Sequence, residues 1–367
     1  MGHWPDIPLL RAHSACATIR GGSGFRLLLL MTQGLSLRGP LFGPRQSRSA
    51  QEEIASSLTL LAMTRQGSCQ SERQTLLGTL TTRSGTMSFV FRLEDYPRYL
   101  ERVGGATVLD VTRRTDPARI ERVWDNLRAV VETHGAPWIV QLWTKDAAGT
   151  LARGGRLLQQ LVKEGTTLAA QVTVTGLSGT EWEPLTPAES FAGVAELMAL
   201  AGGADHIKWR FDPIIPTVYQ LDRFRRLARR AEALGLCHGV LNFVAAPGRY
   251  KRVDARLSQV LPDWADGMPA NDEKWRVETA GRLVEAAGEF GLYVAACAES
   301  AGLVGRVPDL KTAVCGDHDW FVALSGRDPG RAKTTGSRPG CGCAAYFDVG
   351  LYGQWRRCHQ CLYCYAG

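Results

Sequence analysis

No apolar run in this 367-residue sequence approaches the roughly 20 residues that a membrane-spanning helix needs. The 40 glycines and 17 prolines follow no collagen repeat, and 45% hydrophobic residues are too many for a wholly disordered chain. No hydrophobic signal peptide precedes the ten cysteines. We therefore expect a globular protein of a reducing cytoplasm, with no membrane partner, in which the thiols bind metal rather than form disulfides.

The first 86 residues lack lysine and contain few acids. Nine arginines against four acids give this segment +5 of the net charge of +7, so the basic balance is a weak argument for nucleic-acid binding by the rest of the chain. An Arg-rich, Ser-rich and acid-poor composition is typical of an organelle transit peptide. The simpler interpretation is a disordered extension, or a stretch upstream of a true start at Met87. We expect residues 1–86 to stand outside the fold.

From Ala106 onward, strand and helix patterns alternate. Apolar, often β-branched runs predict strands at 106–111, 138–143, 168–174, 206–211, 237–244 and 292–297. Apolar residues recur at helical spacing between them, as at Val123, Leu127 and Val130. This alternation predicts a parallel α/β sheet covered by helices. Periodicity alone leaves open a partial barrel of six βα units and an open doubly wound sheet.

Polar side chains follow strand after strand, at the edge where parallel α/β sheets bind ligands. The candidate catalytic residues at this edge are Lys145, Arg210, Asp212 and Glu299, and the candidate cofactor-binding residues are Arg113, Arg114 and Asp116. Lys145 or Arg210 has the chemistry to bind a carboxylate. The alternative is that these arginines and aspartates pair with one another within the loops.

Five of the ten cysteines lie in the last 27 residues. Cys358, Cys361 and Cys364, here called the tail cysteines, are separated by two residues each, which lets three thiolates converge on one metal centre. Three ligands leave one position open on a four-iron cluster, as a catalytic site requires, whereas structural clusters and structural zinc take four. The spacing leaves open an iron–sulfur cluster and a zinc site with His359 as the fourth ligand.

Four of the seven other cysteines lie between residues 297 and 343. They are Cys297, Cys315, Cys341 and Cys343. By number and order they would suffice for a second cluster, and Cys341 and Cys343 join the tail cysteines as candidate metal ligands. The alternative is two buried thiols and a glycine-rich loop.

Seven short motifs between residues 106 and 367 together resemble an uncharacterised bacterial family, catalogued as a domain of unknown function, whose C-terminal cysteine cluster is similar to that at the start of radical S-adenosylmethionine enzymes. The motifs are Thr112-Arg-Arg-Thr-Asp-Pro117, Trp143-Thr-Lys145, Trp209-Arg-Phe-Asp-Pro-Ile214, Cys297-Ala-Glu299, Gly340-Cys-Gly-Cys343, Asp348-Val-Gly350 and Cys361-Leu-Tyr-Cys-Tyr-Ala366. The similarity extends distantly to spore photoproduct lyase and related DNA-repair proteins of the radical type.

The resemblance implies a radical-SAM-like partial (βα)6 TIM barrel over residues 87–300 and a cysteine-rich iron–sulfur tail over 301–367. It also implies a four-iron, four-sulfur cluster chelated by S-adenosylmethionine, and a small electron donor such as a flavodoxin or ferredoxin. By analogy with the DNA-repair lyases, nucleic acid is a candidate substrate. The arginine-rich helix at 223–230 would then track phosphates, although such a run is more often a solvated helix face.

The tail departs from the radical-enzyme pattern in the spacing of its cysteines. That pattern is Cys-x3-Cys-x2-Cys with an aromatic residue before the last cysteine. Tyr363 fits the aromatic residue, but only two residues separate Cys358 from Cys361. Two alternatives to a radical enzyme therefore stay open, a zinc-binding structural or interaction module and a degenerate family member whose cluster no longer forms.

Overall fold

The structure, a computed structural model, describes residues 91–188, 191–264, 272–297, 302–332 and 342–366. The expectation for residues 1–86 and the candidate residues Glu299 and Cys341 lie outside these ranges. No helix within them combines the length and the hydropathy needed to cross a membrane.

Eight strands alternate with helices along the described ranges. The strands are β1 (Val108–Val111), β2 (Ile139–Thr144), β3 (Thr167–Thr173), β4 (Ile207–Ile214), β5 (His238–Phe243), β6 (Tyr293–Ala296), β7 (Lys311–Thr312) and β8 (Phe347–Asp348). The helices are α1 (Tyr96–Val103), α2 (Arg122–His134), α3 (Ala147–Lys163), α4 (Val194–Ala201), α5 (Leu221–Ala233), α6 (Lys251–Val260), α7 (Glu273–Gly288) and α8 (His318–Ser325).

The strands form one sheet in the order β7-β6-β5-β4-β3-β2-β1-β8, and every neighbouring pair is parallel. From β1 to β6 this is simply the order along the chain. A doubly wound sheet reverses its strand order part-way, so the sequential order favours the barrel-like arrangement of the two left open by the sequence. The fold is therefore α/β, with a TIM-barrel-like parallel sheet flanked by helices.

The six predicted strands are confirmed, and the structure adds β7 and β8 at the two edges of the sheet. Each added strand has only two residues, too few to show a period in the sequence. In the described part of the chain no strand pairing joins β7 to β8. Instead, the backbone N–H of Ala344 donates to the carbonyl of Gly316 at 2.9 Å, which links the segments beside these two strands.

The helices form because their apolar residues face the sheet. In α2, Val123, Trp124, Leu127 and Val130 recur at helical spacing and all are buried. The α3 helix begins at a side-chain cap, where the Asp146 carboxylate accepts from the backbone of the first turn. The main core lies between these helices and the sheet.

The α8 helix closes the end of the sheet where the strands begin. Its Phe321 packs with Val108, Ile139 and Ala169, which lie near the starts of β1, β2 and β3. Farther along the strands, Gln141 and Gln171 both donate to the carbonyl of Cys315, at 2.7 and 2.6 Å. With one end filled in this way, the space for a ligand lies at the carboxyl ends of the strands.

Candidate functional site

A cavity of about 660 Å³ lies at the carboxyl ends of the strands. Loops that follow the strands form its wall, and residues from the C-terminal tail complete its lining. The sequence-predicted site residues that the structure describes all line it, namely Arg113, Arg114, Asp116, Lys145, Arg210, Asp212, Cys343, Cys358, Cys361 and Cys364. Parallel strands end at one edge of a sheet, which brings together residues far apart in the sequence.

Each of the cations predicted at this edge contacts a carboxylate. Arg113 pairs with Asp110, and Arg210 pairs with Asp212. Nε of Arg114 lies 3.4 Å from Asp348, and Nζ of Lys145 lies 3.1 Å from Glu183. Three of these contacts are arginine–aspartate pairs, as in the alternative raised from the sequence, but their carboxylates lie in strands β1, β4 and β8 rather than in loops. A bound anion would therefore share these cations with the protein's own carboxylates.

Asp110 is a carboxyl that sequence reasoning missed, because it lies inside the apolar strand β1. Its side chain is fully buried, and burial raises its pKa from 3.8 to about 7. The Arg113 guanidinium opposes this shift, and the nearby Asp348 adds to it. The sequence did offer one sign of its role, an aspartate inside an otherwise apolar strand. Carboxylates are almost never fully buried without a partner, so such a residue indicates a buried pair.

Asp116 joins the loop after β1 to the C-terminal tail. Its carboxylate accepts from Thr144 Oγ1 and the backbone N–H of Ala118, both at 2.9 Å, and from the backbone N–H of Lys145 at 2.5 Å. The His359 imidazole contacts it at 2.9 Å. Burial would raise the pKa of Asp116, but His359 and the donated hydrogen bonds hold it below its usual value. The Asp116 carboxylate thus holds the loops after β1 and β2 and the tail together. Its predicted contact with a cofactor stays a prediction.

Glu183 is a second residue that sequence reasoning missed. It lies in the loop after β3, and its Oε1 atom accepts from Thr175 at 2.5 Å and from the hydroxyl of Tyr363. Nζ of Lys145 donates to the same oxygen. Burial alone would raise the pKa of Glu183, but Lys145 and the hydroxyl donors hold it below its usual value. Nothing near Glu183 in the sequence shows that it meets the tail, because Tyr363 is 180 residues away.

The tail cysteines are fixed in the cavity wall by contacts on either side. The backbone N–H of Asp116 donates to Sγ of Cys358 at 3.4 Å, and the Trp355 indole donates to the carbonyl of Cys361 at 2.8 Å. Burial raises the pKa of Cys358 to about 11 and also raises the pKa of Cys361, which Lys145 opposes. The Cys364 thiol adds to the raised pKa of both Cys358 and Cys361, and the Cys358 thiol adds to that of Cys361. They are therefore near one another as well as near the cavity.

A second group of thiols lies in the same lining, formed by Cys297, Cys315 and Cys343 and here called the seam cysteines. The Sγ atoms of Cys297 and Cys315 are 3.2 Å apart. Within the described ranges, no three or more Cys, His, Asp or Glu side chains already surround one point as metal ligands.

The family model described as a domain of unknown function (DUF1848) matches residues 125–366. The chain belongs to the DUF1848 family. This agrees with the expectation of an uncharacterised domain family and covers the cavity-lining residues from Trp143 onward. No curated protein matches the DUF1848 chain.

Solved structures similar to the DUF1848 chain include the carboxyl transferase domain of Rhizobium etli pyruvate carboxylase. It is 17% identical with a TM-score of 0.20, over 73% of this chain and 52% of that one. The same domain with 3-hydroxypyruvate is 16% identical with a TM-score of 0.21, over 68% and 50%. The chain thus spans about half the length of these structures. Scores this low support no inference about function.

In the DUF1848 site, His359 is not placed to be the fourth ligand of a zinc site with the tail cysteines. His359 Nε2 contacts Asp116, and Nδ1 contacts the carbonyl of Leu185 at 3.2 Å, so both ring nitrogens already have partners. A histidine must leave one nitrogen free to bind zinc. Without His359, the candidate ligands at the tail are the three thiols, the number that would leave one position open on a four-iron cluster.

The arginines of α5 contact neighbouring groups in the DUF1848 fold. Arg225 pairs with Glu289 at 2.6 Å, and Arg223 donates to the carbonyl of Val218 at 3.0 Å. The Arg230 guanidinium lies over the ring of Phe191. These contacts favour the interpretation of this helix as a protein surface over that of a phosphate-binding stripe.

Proposed function

We propose that this DUF1848 protein is a radical S-adenosylmethionine-type iron–sulfur enzyme that acts on a small molecule in the cavity at the carboxyl ends of the strands. The observation that carries the proposal is the position of the tail cysteines. All three lie in the lining of one cavity, beside the charged residues that follow the strands. A barrel-like fold with its ligand site at this edge provides the matching scaffold.

In this proposal the tail cysteines hold a four-iron, four-sulfur cluster, and S-adenosylmethionine binds at its open position. The cofactor supplies radical chemistry, started by reductive cleavage, and a small donor such as a flavodoxin or ferredoxin delivers the electron. The need to keep thiols reduced fits a cytoplasmic protein.

The protein's own groups orient and balance the charge of this centre. The charge of Lys145 acts on Cys361, because Lys145 lowers the pKa of Cys361 and Cys361 raises the pKa of Lys145. Glu183 fixes Nζ of Lys145 and also holds Tyr363, which lies between Cys361 and Cys364. A buried cation beside thiolates offsets the negative charge that they bring to a cluster.

The rest of the cavity would bind the organic ligands. A volume of about 660 Å³ is the size of a small-molecule site. We assign Arg113 and Arg114 to cofactor binding, and Lys145, Arg210 and Asp212 to substrate contacts, because all five line the cavity. Because these charges are already paired within the protein, a polar group of the ligand would bind to an existing ion pair. The pair would then orient the ligand more than it would neutralise the ligand's charge.

The experiment is S-adenosylmethionine cleavage by the full-length chain, prepared anaerobically with iron and sulfide and reduced with dithionite. We expect 5′-deoxyadenosine from the wild type and a loss of at least tenfold in Cys361→Ala. Cys237→Ala is the matched control because Cys237 is a half-buried thiol outside the cavity lining. It should retain the wild-type rate.

Two outcomes would overturn the proposal. One is a loaded wild type that forms no more 5′-deoxyadenosine than Cys361→Ala. The other is a colourless protein with one zinc per chain and no iron, which would identify the zinc-binding structural module instead.

A further inference from the structure

The seam cysteines come from three segments near the two edges of the sheet, β7 and β8, between which the described residues form no strand pairing. Cys297 directly follows β6, Cys315 lies three residues beyond β7, and Cys343 precedes β8 by four residues. The Sγ atoms of Cys297 and Cys315 are 3.2 Å apart. Residues separated by up to 46 positions in the sequence thus bring their thiols together at one place.

The backbone around these thiols is closely fitted. The N–H of Gly316 donates to Sγ of Cys343 at 3.3 Å, and the carbonyl of Gly316 accepts from Ala344 at 2.9 Å. A Cβ atom added at Gly316 would lie 3.1 Å from the Arg113 guanidinium. Backbone N–H groups aimed at sulfur are a usual feature of thiolate metal centres, where they stabilise the negative charge.

Two buried guanidinium groups face the same sulfur atoms. Nη1 of Arg210 lies 3.6 Å from Sγ of Cys315, and Nη1 of Arg113 lies 3.8 Å from Sγ of Cys343. Nη2 of Arg113 is buried and has no hydrogen-bond partner among the residues that the structure describes. A buried donor without an acceptor is costly, so this nitrogen indicates an acceptor that binds there.

We propose that the seam cysteines form a second thiolate metal centre, distinct from the tail cysteines, with Arg113 and Arg210 as its hydrogen-bond donors. The ligand is a soft metal that binds thiolates, as an iron–sulfur cluster or as a single zinc ion, and the experiment separates the two. Its thiol ligands are not those of the tail site, so metal binding at this centre does not depend on the proposed activity, although Arg113 and Arg210 line the cavity that both would share. With three protein thiolates it keeps a position for a ligand from the cavity.

The centre would also link the two edges of the sheet, β7 and β8. It would join segments beside β6, β7 and β8, and it would add to the backbone hydrogen bond by which Ala344, before β8, contacts Gly316, after β7. Metal binding to the folded state alone raises stability by mass action. In a variant that lacks the tail cysteines, the bound form should therefore unfold at a higher temperature than the metal-free form, and this difference should vanish when a seam cysteine is also replaced.

The test removes the tail site first. In a full-length Cys358→Ala, Cys361→Ala, Cys364→Ala variant prepared anaerobically, we expect metal at one centre per chain. That means about four iron and four sulfide for a cluster, or one zinc without sulfide. Adding Cys315→Ser, or separately Cys343→Ser, should lower the metal to less than a tenth of that value. Adding Cys237→Ser should leave it unchanged.

Two results would overturn the second centre. One is a triple variant that binds no metal although its metal-free form unfolds cooperatively at the wild-type metal-free temperature. The other is metal that persists after both seam substitutions. Failure of the proposed function would give a different result. The tail site would then hold no metal, so the wild type and the triple variant would contain equal amounts of metal.

Discussion

His359 and Asp116 lie 243 residues apart in the sequence, yet the imidazole Nε2 and a carboxylate oxygen are 2.9 Å apart inside the protein. Their side chains are 2% and 5% exposed. The contact joins the loop after β1 to the tail at the residue next to Cys358. Since a hydrogen bond to a buried carboxylate is among the stronger ones, this contact fixes the tail over the cavity.

Replacing His359 should therefore destabilise the protein. His359→Ala removes one of the donors to a buried carboxylate, and we expect the free energy of unfolding to fall by about 2 kcal/mol. Urea unfolding of the full chain checks this. Asp125→Asn is the matched control, because it breaks the exposed Asp125–Arg128 pair and should change the free energy by about 0.5 kcal/mol or less. Equal effects of the two substitutions would contradict the account.

Tyr363→Phe should have a smaller effect, one that depends on Glu183. The substitution removes only the hydroxyl that donates to Glu183, with an expected loss of about 1 kcal/mol in the free energy of unfolding. In the Glu183→Gln variant, the loss caused by Tyr363→Phe should differ by more than about 0.5 kcal/mol from the loss in the wild type, because the two residues are in direct contact. Tyr293→Phe, at a tyrosine that is 56% exposed, is the control. Additive effects of the Tyr363 and Glu183 substitutions would contradict a direct hydrogen bond.

The raised pKa of Asp110 predicts a pH dependence of stability. Burial moves this pKa from 3.8 to about 7, so between these values the folded state holds the proton that the unfolded state releases. The stability that Asp110 contributes is therefore fully present below about pH 4 and is lost as the pH rises to 7, since stability falls with pH where the folded state binds more protons.

Unfolding measured at intervals from pH 4 to 7 checks this dependence. Asp110→Asn keeps the shape of the protonated acid but cannot ionise, so its stability should fall less steeply over this interval than that of the wild type. Asp125→Asn, at an exposed carboxylate, should keep the wild-type slope. Identical slopes in wild type and Asp110→Asn would contradict the assigned pKa shift.

Two glycine-to-alanine substitutions should change stability in opposite directions. A Cβ atom at Gly350 would overlap the side chain of Thr112, so Gly350→Ala should lower the free energy of unfolding by about 1–3 kcal/mol. Gly281 lies within α7 with no atom within 4 Å of an added Cβ, and Gly281→Ala should stabilise by about 0.5–1 kcal/mol. Thermal unfolding distinguishes them. A neutral Gly350→Ala would show that the loop after β1 does not pack closely against the tail.

Strands β1 to β6 could be predicted because their apolar runs are local features of the sequence. The eight-stranded sheet could not, because β7 and β8 owe their two residues each to pairing with neighbours rather than to any period of their own. The sequence also does not show how the chain runs between β1 and the start of α2 at Arg122. There, Asp116 accepts from the backbone of Ala118 and is also held by the tail, and the residues between form turns.

The site divides in the same way. Residues at strand ends could be predicted as neighbours, because the topology of a parallel sheet brings every carboxyl end to one edge. Glu183 and the tail could not be predicted as partners, because only the folded chain shows that residue 363 returns to the loop after β3. Asp110 was missed because its role depends on burial, which the composition of a four-residue strand does not show.

The central claim, a cluster held by the tail cysteines, is tested most directly by iron and sulfide analysis. The proteins are anaerobically prepared wild type, Cys361→Ala and Cys237→Ala. The account predicts that Cys361→Ala loses about four iron and four sulfide atoms per chain relative to the wild type, and that Cys237→Ala loses none. Equal iron and sulfide contents in all three proteins would contradict it.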